Sequence, residues 1–182
     1  MPSIAARLFI VVCPLICLNG QSPSYTADGQ LTLPSDYREW VFLSSGLGMT
    51  YQQDHSGPAA FTNVFVNPTA YRSFMSTGKW PDKTTLILEI RSSESKGSIN
   101  QGGSYQGDVL AIESEVKDLA KSPGSGWAFF AFGKSKSGKP LARTEDCYAC
   151  HAEHAAVDNT FVQFYPSLIP IAKQKGTFTA GR

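Results

Sequence analysis

The residues best suited to chemistry are Cys147-Tyr148-Ala149-Cys150-His151, a C-x-x-C-H run. On one turn of helix, two thiols at this spacing share a face and can reach the two vinyl groups on one edge of a porphyrin, forming thioethers. The adjacent imidazole then comes under the ring plane and can bind iron through the nitrogen remote from the backbone. The motif predicts one covalent haem c on Cys147 and Cys150, with His151 as the iron ligand. Two other chemistries use the same residue types. A thioredoxin-like redox pair is expected on a strand-to-helix turn early in an α/β chain, whereas this motif lies near the C-terminus of a β-rich one. Zinc could take Cys147, Cys150, His151 and His154, but all four fall within eight residues of one predicted helix. A tetrahedral site usually gathers its ligands from two separate segments.

The other side of the iron decides the reactivity. Low-spin electron carriers fill the sixth position with Met or His. Met75 falls on the apolar face of a predicted helix, and His154 shares the motif's own helix and cannot cross the porphyrin plane. Met49, in the glycine loop Ser45-Gly46-Leu47-Gly48-Met49, and His55, in a polar loop, are the remaining candidates. The leading expectation is a five-coordinate iron with an open face, suited to small ligands; a simple electron carrier using Met49 is an alternative.

These groups must be positioned by a folded domain. With 182 residues, 42% of them hydrophobic, the chain can bury a real core. A formal net charge of +1 and no dense Lys/Arg cluster argue against nucleic acid as a partner. Met1 to Gly20 carries an early Arg, an apolar stretch from Leu8 to Leu18, and then small and polar residues. That is the order of a secretory signal peptide, too short in its apolar part for a membrane span. The expected division is a signal peptide over 1–24, cleaved between Gly20 and Tyr25, and a haem domain over 25–182. Ile16 before Cys17 fits a lipoprotein signal poorly. Removing Cys13 and Cys17 leaves only the motif pair among four cysteines, so no disulfide scaffold is expected. A periplasmic or secreted location agrees with haem attachment, which in bacteria takes place outside the cytoplasm.

Along the body, a short helix is expected to start at Ser35 or Asp36. Strands are expected at Glu39–Leu43, Ala60–Val66, Thr84–Ile90, Val109–Val116 and Trp127–Phe132; Val109–Val116 ends in an alternation (Ile112, Ser114, Val116), the pattern of a strand with one wet face. Asn67-Pro68 opens a helix that Gly78 stops, with Tyr71, Phe74 and Met75 on one apolar face. Ser93 to Gly107 and Ser135 to Pro140 read as loops, and Ser122 to Gly126 as a turn. Short connections favour antiparallel pairing. The expected fold is one α+β domain, mainly antiparallel sheet with short flanking helices and a C-terminal haem-attachment helix.

At this point the chain resembles the cytochrome P-460 family, which includes the cytochromes c′-beta. The matching segments are Tyr37-Arg38-Glu39-Trp40, Val64-Phe65-Val66-Asn67-Pro68 with Tyr71, Gly78-Lys79-Trp80-Pro81-Asp82, Gly107-Asp108, Gly126-Trp127-Ala128-Phe129, Cys147 to His151, and Phe161-Val162-Gln163-Phe164-Tyr165-Pro166. In order, they cover residues 31 to about 168. The resemblance implies a mainly antiparallel fold, a homodimer, and a high-spin five-coordinate c-type haem. It implies small nitrogen species as ligands or substrates, and leaves room for a redox partner protein: the P-460 enzymes oxidise hydroxylamine and the c′-beta proteins bind nitric oxide.

The hydroxylamine-oxidising members carry a lysine cross-linked to the porphyrin, on the strand after the Trp-Pro-Asp turn; Leu88 stands at that position here, with Lys79 and Lys83 in the preceding turn. A carboxylate over the distal face comes from the loop before the motif, where Ala142 is nearest and Glu145 a possible substitute. Glu145 and Asp146 also suit the first turn of a helix electrostatically. Phe61, Phe65, Trp80 and Leu88 are candidate pocket-lining residues, and Arg72 and Arg91 candidate propionate partners. The missing lysine favours nitric oxide binding, with hydroxylamine oxidation as the alternative.

Overall fold

The computed structural model describes residues 22–50 and 57–179. The predicted signal segment lies almost wholly outside them, and His55 lies outside them too. Among the described residues, seven strands form one antiparallel sheet. They are β1 (Leu31–Thr32), β2 (Val41–Leu47), β3 (Ala60–Val66), β4 (Thr85–Glu94), β5 (Tyr105–Lys117), β6 (Trp127–Gly133) and β7 (Ser137–Pro140), in the order β1-β7-β6-β5-β4-β3-β2. From β2 to β7 each strand pairs with its sequence neighbour, and β1 pairs with β7. The described residues add short helices beside the sheet: α1 (Pro68–Thr77), α2 (Asp146–His154) and α3 (Ile169–Gln174). This is the expected α+β domain. No helix among the described residues is long and apolar enough to cross a membrane.

The helix opened by Asn67-Pro68 forms as its sequence dictates, with Pro68 in its first turn and Gly78 left-handed at φ 71° to stop it. Asn67 occupies the N-cap without capping through its side chain. Its amide oxygen instead accepts from Thr85 N at 2.9 Å, which ties the start of α1 to the start of β4. Elsewhere the pairing exceeds the sequence signal. Two strands were not expected: β1 is only two residues long, and β7 lies within the predicted Ser135 to Pro140 loop. Gly138 in β7 is there for space, because a Cβ would sit 2.8 Å from the Phe132 ring. The predicted Ser93 to Gly107 loop is shortened by the pairs Ser93↔Gln106 and Glu94↔Tyr105. The helix expected at Ser35 or Asp36 is a single 3-10 turn at Tyr37–Glu39.

The sheet separates two cores, and strand alternation decides which side chain joins which. One face carries Val66, Leu86 and Trp127 against Ala70 and Phe74 of α1, with Trp80, Val157, Val162 and Leu168. The other carries Ile87, Ile112, Phe130 and Phe132 under Leu31, Tyr37 and Trp40. Burying each large aliphatic or aromatic side chain this way stabilises the fold by about 1.5–3 kcal/mol. On that second face Glu89 is buried and accepts hydrogen bonds from Tyr37, Arg38 and Arg91.

Candidate functional site

The Cys-x-x-Cys-His run occupies α2 on the Trp127 side of the sheet. Both cysteines are free thiols and partly exposed. Burial pushes both thiols above their usual range, aided by the negative charge of Glu113 at Cys147 and of Glu153 at Cys150. A raised thiol is the opposite of an activated redox dithiol, whose first cysteine is held as thiolate. The zinc alternative fails on geometry: among the described residues, no three His, Cys, Asp or Glu side chains converge to hold a metal ion.

Both ends of α2 are tied down. Tyr148 lies edge-on to Phe129 of β6, ring centroids 4.7 Å apart, and its hydroxyl accepts from Phe129 N at 3.3 Å. At the C-terminal end the Gln163 side chain accepts from Ala156 N and donates to His154 O, at 3.0 and 2.8 Å. Yet none of the nine residues of α2 is fully buried. A helix normally buries one apolar face. Here that face carries Cys147, Cys150 and His151, side chains suited to cover by a prosthetic group.

His151 is the most constrained of the three. Its ring lies between Phe129 and Phe161, at centroid distances of 4.5 and 4.3 Å. Its Nδ1 is 2.7 Å from the carbonyl oxygen of Asn159. A carbonyl only accepts, so Nδ1 carries the proton and Nε2 keeps its lone pair for a metal. The Asn159 carbonyl is presented by a tight turn in which Asp158 and Asn159 are left-handed, φ 46° and 61°. Val157 and Thr160 close that turn by reciprocal backbone hydrogen bonds. Lys117 holds Asp158 at 2.6 Å, and Trp80 Nε1 donates to Thr160 Oγ1 at 2.7 Å. Trp80 is thus a core residue that supports the site from behind.

Directly paired residues of an antiparallel sheet share a face. One row on the α2 side runs Val66, Leu86, Glu115, Phe129; the next runs Val64, Leu88, Glu113, Ala131. Leu88 therefore lies on the motif-bearing face, paired with Glu113. Glu115 is buried, with Oε2 3.2 Å from His151 Nδ1 but without hydrogen-bond geometry. Burial alone would lower the His151 pKa; Glu115, the Asn159 carbonyl and Glu113 outweigh it and hold it above the usual value. Burial pushes Glu113 above the carboxylate range, with His151 opposing. Glu113 is nonetheless exposed to water.

The sequence pattern of cytochrome P460 matches residues 34–162, well over half of the 182-residue chain and including the whole motif. The chain belongs to the cytochrome P460 family. Among curated proteins, none matches it. Family membership makes it a haem-binding cytochrome, and the thiol pair, the free Nε2 and the underpacked face of α2 fit that group.

Strand register corrects three of the site expectations for a cytochrome P460 that lie on β3 and β4. Phe61, Phe65 and Arg91 belong to the far face: Phe65 packs on Tyr37 and Phe42, while Arg91 bonds Glu89 and Gly107 O. Arg72 is exposed on α1 beside Thr69. Ala142 and Glu145 are exposed in the turn entering α2, where Glu145 N donates to Ala142 O. Met49 lies at the sheet edge with its sulfur over Gly46, which pairs with Thr62. Thr62 is four residues along β3 from the Val66 row that reaches Phe129, about 13 Å at strand rise. The register thus keeps Gly46, and the Met49 sulfur over it, well away from Phe129 and the His151 ring beside it.

Glu113 and Glu115 are the site residues that sequence reasoning missed. Their signal was the alternation of β5, which was read as one wet face.

Proposed function

We propose that this protein is an exported mono-haem c-type cytochrome that binds nitric oxide or a related small nitrogen species. In this reading Cys147 and Cys150 hold the haem covalently and His151 Nε2 ligates its iron from one side. Haem bound there supplies an iron that can take a small ligand or exchange an electron. The chain's own part would be to fix and polarise the imidazole through the Asn159 carbonyl.

The observation that carries the choice of ligand is Leu88 on the motif-bearing face. A leucine offers no nucleophile, so the porphyrin gains no third covalent link at that position. A neutral diatomic such as nitric oxide needs no proton transfer to bind. Absorption spectra of the ferrous protein with and without nitric oxide or carbon monoxide test this reading. A high-spin five-coordinate starting spectrum that shifts on ligand addition supports it; a low-spin six-coordinate one rejects it.

Glu113 favours a second reading, hydroxylamine oxidation. Its carboxylate, paired with Leu88 on the motif-bearing face, offers a proton acceptor at that position. Incubation with hydroxylamine and an electron acceptor separates the two readings: turnover that Glu113→Gln removes would favour oxidation. Export rests on the order of residues in the N-terminal segment. A homodimer and a redox partner protein rest on the family resemblance; sizing of the purified protein tests the dimer.

A further inference from the structure

We infer that Glu115 is a positioning residue for the haem iron: its buried carboxylate beside His151 Nδ1 makes that imidazole a stronger electron donor than the Asn159 carbonyl alone would. This inference rests on the proposed role of His151 as iron ligand.

Glu115 sits in an apolar row, paired with Leu86 on one side and Phe129 on the other. Its side chain is 9% exposed, and Oε2 has no hydrogen-bond partner. Burying a carboxylate oxygen without such a partner is strongly unfavourable. Among the described residues no lysine or arginine forms an ion pair with it. Lys117, two residues along the same face, is committed to Asp158 Oδ2 at 2.6 Å and Trp80 O at 3.0 Å. Glu113, on the other side along the strand, is a further carboxylate. The imidazole stands within reach of the Glu115 carboxylate, at 3.2 Å.

One N–H therefore faces two acceptors, Asn159 O at 2.7 Å and Glu115 Oε2 at 3.2 Å. The nearer carbonyl sets the ring's orientation; the anion adds negative potential along the same N–H. Acceptors behind a ligating imidazole raise the basicity of its other nitrogen, and a carboxylate does so more strongly than a neutral carbonyl. A more basic ligand favours ferric over ferrous iron. A methionine of similar length would fill the same space without the cost of burying a charge.

The test replaces the charge and keeps the shape. Glu115→Gln is loaded with haem beside the parent protein, and covalent haem is quantified in both before their midpoint potentials are measured. The expected result is at least a tenfold shift of the ferric-to-ferrous ratio toward ferrous at a fixed potential, about 59 mV for one electron. The iron–histidine stretch of the ferrous parent protein is recorded by resonance Raman. It should lie above the range of neutral imidazole and fall in the variant. An unchanged potential, or a parent stretch in the range of neutral imidazole, overturns the inference while leaving haem attachment intact. If the variant does not fold, the parent stretch decides alone. A parent protein without covalent haem, or already six-coordinate, overturns the functional reading instead.

Discussion

His151 Nδ1 stands 2.7 Å from the carbonyl oxygen of Asn159, eight residues further along the chain. The imidazole is thereby aimed by a turn rather than by its own helix. Asn159 occupies the left-handed region at φ 61°, where β-branched residues are strained. Asn159→Val should destabilise the fold by about 1–2 kcal/mol and broaden the haem absorption bands as the ring loses its fixed orientation. Asn159→Gly should preserve both. Thermal unfolding and absorption spectra of the two variants check this.

The same turn is held by Trp80, whose Nε1 donates to Thr160 Oγ1 at 2.7 Å in a fully buried setting. Trp80→Phe keeps an aromatic ring against Phe74 but removes the donor. It should lower the unfolding free energy by about 2 kcal/mol, the cost of losing a buried hydrogen bond together with some packing. The urea midpoint should fall with an unchanged slope.

Acid sensitivity should centre on the far face. Burial by itself would raise the Glu89 carboxyl, but hydrogen bonds from Tyr37, Arg91 and Arg38 outweigh it and hold its pKa below the usual value. A depressed folded pKa means the contribution is fully present above the unfolded value, about 4.3. It is lost as pH falls through the folded value. Stability of the parent chain should therefore drop below about pH 4, and Glu89→Gln should flatten that part of the profile. At neutral pH the variant should be weaker by about 2 kcal/mol. Arg38 is 57% exposed, so the loss stays short of the roughly 3–5 kcal/mol of a wholly buried pair. Chemical denaturation at a series of pH values measures both.

Much of this was legible before the fold. Gly78 after an apolar helical face, and the β-branched run around Ile87, specify their elements locally. The motif specifies its chemistry by spacing alone. What was hidden depends on long-range pairing. β7 shows as a strand because Phe130 and Ala131 of β6 and Leu31 and Thr32 of β1 offer it partners, and its Ser, Gly and Lys carry no β signal. The faces of Phe61 and Phe65 depend on register, which a one-residue shift inverts. β5 was the most misleading. Its alternation suggested a solvent-facing side, yet Glu115 on that side is buried beside His151. A polar residue in an alternating strand signals water or a polar partner equally, and only the position of α2 tells them apart.

The sheet-edge position of Met49 bears on the electron-carrier alternative. Its thioether lies over Gly46 and it is 43% exposed. Met49→Ala should leave the spin state of the haem protein unchanged, as read by its ferric absorption spectrum. A change of coordination in that variant would restore Met49 as a ligand.

Leu88 and Glu113 face each other across β4 and β5 on the motif's side of the sheet. Without an amine there, the ferrous protein should show no red-shifted Soret band of the kind a lysine cross-link produces. Leu88→Lys tests the geometry in reverse. Appearance of that band on maturation with haem would place position 88 at the porphyrin edge, and a persistently ordinary spectrum would place it away from it.

The most direct measurement is the absorption spectrum of the ferrous protein, matured with haem outside the cytoplasm, before and after addition of nitric oxide. Covalently bound haem with a five-coordinate high-spin spectrum that changes on addition is the expected result. Protein that emerges colourless, or whose iron is already saturated by two side chains and ignores nitric oxide, would contradict the account.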